Sequence, residues 1–221
     1  MRTQRVITED GSHSLFVPEL NEHYHSVHGA VQESMHVFIE AGLNYFPEGK
    51  NAINILEVGL GTGLNVLLTL LNAKQKINYS SLEAFPINAD EAQSLNYVKV
   101  LDAKDLAEQF SNIHSCKSGK EILLNDNFYF TKHLTKLQDF RSSSSFDLVY
   151  YDAFAPKVQP ELWTEDIFRQ LYAMMNAGGI MVTYCAKGEV KRNMKAAGFF
   201  VEALPGPKGK REMTRASKKI I

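Results

Sequence analysis

Cysteine, tryptophan and long apolar runs are all scarce in this sequence. Its 221 residues hold two cysteines and one tryptophan. The cysteines, Cys116 and Cys185, form no CxxC pair. A disulfide framework is therefore excluded, no metal site is expected, and free thiols in a cytoplasmic protein are the plain reading. No apolar run approaches the roughly 18 residues that a membrane span needs, so no membrane partner is expected. Residues 1–10 mix charges and lack an apolar core, which argues against a secretory leader. Neither sign of charge dominates, since the formal net charge is -1. At 44% hydrophobic and 22% charged, the chain can bury one sizeable α/β core and is not expected to be disordered. Internal repeats and long linkers are missing too; the serine run Ser142 to Ser145 reads as a loop tip.

The small net charge conceals an uneven distribution. From Lys187 onward there are ten Lys/Arg against three Glu, whereas the preceding residues hold fourteen Lys/Arg against twenty-two Asp/Glu. A basic end on an acidic body suits local contact with phosphates, and a solvated tail accounts for it equally well.

Residues 1–50 are polar and rich in histidine. They read as an N-terminal extension with a helix, marked by Val37, Phe38, Ala41 and Tyr45, packed on the core. Residues 51–221 read as the main domain. Its predicted elements are a strand at Ile53–Val58, a helix at Leu64–Leu71, a strand at Tyr79–Glu83 and a helix at Asn88–Val100. A third strand ends near Asp126, and a buried-type strand runs from Phe146 to Asp152. Then come a helix from Thr164 to Met175, a Gly178-Gly179 turn into a strand at Ile180–Cys185, and a helix at Glu189–Ala197 closed by Gly198. Last strands are placed at Phe199–Ala203 and Lys218–Ile221. Such alternation predicts an α/β, doubly wound, Rossmann-like parallel sheet. His13, His23, His25, His28 and His36 match no metal-ligand spacing and are expected to be hydrogen-bonding or surface groups.

The most informative segment is Glu57-Val58-Gly59-Leu60-Gly61-Thr62-Gly63, between a strand and a helix. The glycines permit a sharp turn and close approach of a ligand, and the following helix offers free N–H groups. The dinucleotide pattern G-x-G-x-x-G would put the third glycine one residue later. The shortened spacing, with Glu57 two residues ahead of Gly59, points to S-adenosylmethionine, Glu57 marking the place of its cationic amino group. Glu83, at the end of the second strand, suits a pair of ribose hydroxyls but would serve NAD equally. Asp126 can reach an adenine amino group or make an Asx turn. A dehydrogenase loop and a ligand-free turn remain as alternatives.

Asp152-Ala153-Phe154-Ala155-Pro156 follows the strongest strand. Ligands in open α/β sheets lie at the carboxyl ends of strands, so Asp152 is expected in the crevice beside the glycine loop; a capping role is the alternative. Pro156 and Pro160 stiffen the segment. Phe154 and Trp163 offer aromatic surface, with packing the better account of Trp163. Near the end of the chain, the loop Gly206 to Met213 carries Lys210 and Arg211, suited to phosphate. Tyr24 and Glu33 add polar groups ahead of the first helix.

Together these segments resemble the MnmD and MnmC N-terminal family, the methyltransferases that finish 5-methylaminomethyl-(2-thio)uridine in tRNA. The resemblance rests on Tyr24-His25-Ser26, Glu33 to Phe38, Leu56 to Asn65, Asp152 to Pro156 and Pro160-Glu161-Leu162-Trp163-Thr164. It continues through Gly178-Gly179, Thr183-Tyr184, Val190-Lys191-Arg192, Ala197-Gly198-Phe199 and Lys210-Arg211-Glu212-Met213. The Asp152 and Lys210 boxes are its specific parts; the glycine loop is common to many methyltransferases. Leu60, where an aromatic is frequent, and Thr214-Arg215 depart from the pattern. The family implies methyl transfer from S-adenosylmethionine, leaving S-adenosylhomocysteine, to the amine of 5-aminomethyl-(2-thio)uridine at the wobble position. It implies a tRNA anticodon stem-loop as partner and a link to upstream wobble-modification enzymes. No FAD is expected, nor removal of a carboxymethyl group. Glu57, Gly59, Gly61, Gly63, Asn65, Glu83, Asp126 and Asp152 would hold the cofactor. Tyr24, Glu33, Phe154, Pro156, Lys210 and Arg211 would meet substrate. Asp152 would position the amine first and act as base second, because an ordinary aspartate is a weak base. The alternatives are an aminopropyltransferase of the spermidine-synthase type, another small-amine methyltransferase, or a non-catalytic RNA-binding module.

Overall fold

The computed structural model describes residues 2–220; Met1 and Ile221 lie outside it. The chain opens with a small antiparallel sheet of β1 (Gln4–Ile7), β2 (His13–Val17) and β3 (Glu22–His23). Helix α1 (Ala30–Ser34) runs on as a π-helical segment, Met35–Glu40. That segment buries Val37, Phe38 and Ile39 against the main domain, with Phe38 on the ring of Tyr150 at 5.2 Å between centroids.

The main domain follows with β4 (Ala52–Val58), α2 (Leu64–Asn72), β5 (Lys76–Glu83), α3 (Ala89–Ser94), α4 (Tyr97–Val100) and α5 (Ala107–Ser115). Next are β6 (Glu121–Asn125), β7 (Phe128–Leu134), β8 (Phe146–Tyr151), α6 (Glu165–Met174), β9 (Met175–Thr183) and α7 (Gly188–Ala196). The last elements are β10 (Phe200–Pro205) and β11 (Glu212–Ser217). Eight strands form one sheet in the order β10-β11-β9-β8-β4-β5-β7-β6. The five from β9 to β7 run parallel, while β11 and β6 are antiparallel to their inner neighbours. The expected doubly wound, Rossmann-like sheet is therefore present, with antiparallel strands added at its edges.

β4 and β8 lie mid-sheet with helices over both faces, which is why they read as nearly continuous apolar runs. Alternate residues feed two cores. Ile53, Ile55, Leu148 and Tyr150 join α2 on one face, and Leu56, Val149 and Tyr151 join Phe168 and Leu171 of α6 on the other.

Four expectations are corrected. The helix placed at Asn88–Val100 is broken. Asn88 caps α3 in a reciprocal pair with Glu91, and Asn96 holds the N-terminal sheet through bonds with His13 N and Gly11 O. Gly178-Gly179 lies within β9, at a register shift against β8, and makes no turn ahead of it. The final strand is Glu212–Ser217 and not Lys218–Ile221, of which Ile221 is outside the described residues. Its polar Thr214 and Arg215 are satisfied laterally, by Cys185 O at 2.7 Å and Glu202 at 3.2 Å. A strand does end beside Asp126, since β6 stops at Asn125, but it is an antiparallel edge strand and Asp126 belongs to its turn into β7.

A Cβ at Gly179 would lie 2.9–3.2 Å from the backbone oxygens of Asn176, Asp147 and Phe146. Gly179→Ala should therefore cost about 1–3 kcal/mol of stability, as rigid overpacking does. Urea unfolding followed by circular dichroism would show it as a lowered midpoint at constant m-value.

Candidate active site

A cavity of about 560 Å³ opens over the carboxyl ends of β4, β5 and β8. Its size suits a nucleoside-scale ligand, and its place is where open α/β sheets bind one. Gly59, Gly61, Glu83, Asp152 and Phe154 line it, together with Tyr24, Glu33, Tyr184 and Lys210.

The floor is made where the ends of β4 and β8 meet. Asp152 N donates to Val58 O at 3.0 Å. A Cβ on Gly59, whose φ is +95°, would stand 2.7 Å from the Asp152 carbonyl, so only glycine permits this approach. Gly61 N donates to Glu83 Oε2 at 2.9 Å, and Phe85 N to Glu83 Oε1 at 2.7 Å. Each carboxylate oxygen keeps a further lone pair, so Glu83 can still accept from a diol at the cavity. Gly63 faces His114 and not the cavity.

Asp152 sits at the wall, partly exposed. Asn65 Nδ2 donates to its Oδ2 at 2.9 Å. Enclosure by protein raises its pKa to about 7; the Asn65 bond opposes this, Glu33 adds to it and Lys210 opposes it. Glu57 and Asn65 are buried below the loop and do not reach the cavity wall. The direct contact expected between Glu57 and the cofactor is thus not offered by this arrangement. Glu57 Oε2 instead accepts from Ser81 Oγ at 2.6 Å. Burial raises the Glu57 pKa to about 8 despite that bond, with Asp152 adding to the rise.

Asp126 must be corrected. It lies in the β6–β7 turn, at the start of a parallel strand and hence at the end of the sheet opposite the cavity. The Asx interaction there is made by Asn125, whose Oδ1 accepts from Asn127 N at 2.9 Å. The segment after β7, Thr135 to Gln138, supplies the cavity wall in its place. Pro156 is corrected as well: it starts a turn beyond the wall, closed by Val158 N to Ala155 O at 2.8 Å. Trp163 is buried and donates Nε1 to Phe154 O at 2.9 Å, which makes it a packing group that fixes Phe154.

The N-terminal segment straps the glycine loop. Tyr24 covers Gly61 and meets Phe154 edge to face, with centroids 5.2 Å apart. His25 Nε2 lies 2.7 Å from Thr62 Oγ1, and Tyr97 OH donates to the same oxygen at 3.2 Å. Burial lowers the His25 pKa to about 4, so His25 is neutral near pH 7. Ser26 N donates to Glu33 Oε2 at 2.8 Å, and Glu33 Oε1 pairs with Lys210. The Lys210 ammonium also stands 4.2 Å from the centroid of Tyr184. Lys210 is therefore a cavity residue already in an ion pair, whereas Arg211 is exposed and outside the cavity. Tyr97 belongs to no motif in the sequence; its partner Thr62 is too distant along the chain for spacing to show the contact.

Residues 103–219 match the model of a family described as S-adenosyl-L-methionine-dependent methyltransferase. The chain belongs to that family. Curated relatives of this methyltransferase include tRNA 5-methylaminomethyl-2-thiouridine biosynthesis bifunctional proteins MnmC. The one from Pseudoalteromonas atlantica is 32% identical over 86% of this chain and 30% of its own length. The one from Cupriavidus metallidurans is 29% identical over 96% of this chain and 33% of its own length. The methyltransferase thus spans about a third of these relatives. Among solved structures, MnmC2 from Aquifex aeolicus covers the whole chain with a TM-score of 0.79 at 24% identity, 71% of that chain being covered. Spermidine synthase from Thermotoga maritima also covers all of it, at a TM-score of 0.55, 12% identity and 73% of that chain. Both show a shared fold. Among the described residues no helix is long and apolar enough to cross a membrane.

The cavity fits the family's cofactor in its donor set: a turn whose Gly59 and Gly61 carry no Cβ, an acid at the end of β5, and a second carboxylate at the end of β8. Removing the Glu83 carboxylate should weaken S-adenosylmethionine binding about tenfold to a hundredfold, the value of a charged hydrogen bond. Calorimetric titration of Glu83→Ala measures this, and an unchanged Kd would place the ribose elsewhere.

Proposed function

We propose that this methyltransferase acts on the primary amine of a 5-aminomethyl-(2-thio)uridine at the wobble position of tRNA, in the cytoplasm. The carrying observation is Asp152, the carboxylate that β8 delivers to the cavity beside the glycine loop, held there by Asn65. The printed name of the curated relatives supports the substrate class. Phe154 and Tyr24, edge to face at the wall, offer aromatic surface for an extruded base.

Bound S-adenosylmethionine supplies an electrophilic methyl group. Gly59 and Gly61 leave room for it and Glu83 accepts from its ribose. Asp152 Oδ1, the oxygen that Asn65 does not occupy, accepts a hydrogen bond from the substrate amine and orients its lone pair. A raised pKa also makes Asp152 a better proton acceptor than an ordinary aspartate, so positioning and base catalysis are compatible at one atom. The carboxylate is the working form. Because its pKa is raised to about 7, turnover should rise as pH increases through that value.

Asp152→Asn keeps the size of the side chain and removes the charge. Turnover should fall about 10²–10⁴-fold, the usual contribution of a positioned acid–base group, and lose the rise near pH 7. Nucleoside mass spectrometry of tRNA incubated with enzyme and S-adenosylmethionine reads the product; failure of wild-type enzyme to add one methyl to 5-aminomethyluridine sinks the substrate assignment.

Lys210 and Arg211 separate into different tasks. Arg211→Ala should weaken tRNA binding evenly and reduce the salt slope by about one. Lys210→Ala should lower turnover more than it changes that slope, because its ammonium is engaged with Glu33. Equal slopes for both variants, measured by filter binding across salt, would contradict the division.

A further inference from the structure

Gln159 is held at the cavity by the same segment that carries Asp152. The chain turns back after Ala155, whose carbonyl accepts from Val158 N at 2.8 Å and from Gln159 N at 3.0 Å. The turn brings the Gln159 side chain onto Phe154, where its Oε1 accepts from the backbone N–H at 3.2 Å. Gln159 lines the cavity together with Asp152 and Phe154. The bond to Phe154 decides which way the amide points. Turned over, the Nε2 hydrogens would face another N–H, so the oxygen belongs at the backbone and the nitrogen away from it.

Among the described residues no protein acceptor takes the two Nε2 hydrogens of Gln159. The neighbouring donors of this wall are engaged. The Tyr184 hydroxyl donates to Ala153 O at 2.8 Å, and the Lys157 and Lys210 ammonium groups are paired with Glu22 and Glu33. One short loop therefore presents an acceptor, the Asp152 carboxylate, and a neutral donor, the Gln159 amide, to the same cavity. The ring of Phe154, between them in sequence, adds an aromatic surface at the wall.

We infer that Gln159 determines which base the enzyme accepts: its Nε2 donates to the C4 carbonyl of the uracil ring. This role of Gln159 rests on the substrate reading given above. In a 5-aminomethyluracil the carbon that bears the arm is bonded to C4. An acceptor for the amine and a donor for the C4 oxygen must then stand side by side, and Asp152 and Gln159 are that pair. Cytosine carries an amino group at C4, a donor where uracil has an acceptor. It would set donor against donor and leave both groups desolvated and unpaired. Aromatic stacking on Phe154 does not make this distinction, because every base has a π-face.

The test compares two anticodon stem–loop RNAs, one with 5-aminomethyluridine and one with 5-aminomethylcytidine at the wobble position, with S-adenosylmethionine as methyl source. Wild-type enzyme should favour the uridine by about tenfold to a hundredfold in kcat/KM. Gln159→Glu keeps an oxygen for Phe154 N and puts a second oxygen in place of the donor, so that ratio should fall at least tenfold. A side chain that only staples the loop would slow both RNAs together. A wild-type ratio near one, or an unchanged ratio in Gln159→Glu, overturns the inference. A second readout does not depend on methyl transfer. In ¹⁵N-labelled enzyme the Gln159 side-chain amide resonance, assigned by its loss in Gln159→Leu, should shift when the uridine stem–loop is added with S-adenosylhomocysteine, and stay in place with the cytidine counterpart. Wild-type enzyme that methylates neither RNA refutes the substrate reading, and the resonance then decides the role of Gln159: no shift with uridine, or equal shifts with both, overturns it.

Discussion

The site depends on the meeting of two backbone ends. β4 and β8 are neighbours in the sheet, and where they stop, Gly59 passes so close to the Asp152 carbonyl that a Cβ would be 2.7 Å from it. This contact fixes the spacing between the glycine loop and the Asp152 carboxylate at the cavity wall. Asn65, in the first turn of α2, bonds Asp152 and so ties the helix to the same point. A displacement of either strand would move the binding and reacting groups together, which is how a parallel sheet converts rigid strands into a precise interval between sites.

How much of this was legible in the sequence follows from burial. β4, α2 and β8 were readable because burial on both sides of the sheet makes their residues apolar in runs. β7 was not, because its inward positions Phe128, Phe130 and Lys132 include a charge; the Lys132 ammonium is satisfied by the His114 carbonyl, which no local pattern reveals. Asp126 follows the carboxyl end of β6, but β6 runs antiparallel to β7, so Asp126 stands at the end of the sheet opposite the cavity, which only the pairing with β7 reveals. The N-terminal sheet escaped notice because its strands are short and β1 is largely exposed. Glu57, Glu83 and Asp152 were legible as acids at strand ends. Their different depths were not, because one residue's difference in register decides whether a side chain lines the cavity or lies beneath it. Lys210 and Glu33 are separated by 177 positions, and only the fold pairs them.

The N-terminal extension acts on the loop through neutral and charged contacts of different character. His25 is buried and neutral, so its bond with Thr62 holds the loop without adding charge under it. Tyr24 closes over Gly61 from the cavity side. Glu33, by contrast, brings a charge to the rim and engages both the Ser26 backbone and Lys210. The strap is therefore anchored by packing at the loop and by an ion pair at the opening.

That ion pair bears on the chemistry. A primary amine is protonated near neutral pH and must lose its proton before its lone pair can react. A cavity with several ionised acids and no cation would hold the ammonium form and oppose that loss. Here the Lys210 ammonium pairs with Glu33 at the cavity wall, beside Asp152. A neighbouring cation, together with the positive charge of the bound cofactor, shifts the amine toward its neutral form. In the proposed reaction the cavity would combine one acceptor to orient the amine with a cation beside it, because Lys210, on the loop between β10 and β11, reaches the cavity wall and meets Glu33 there.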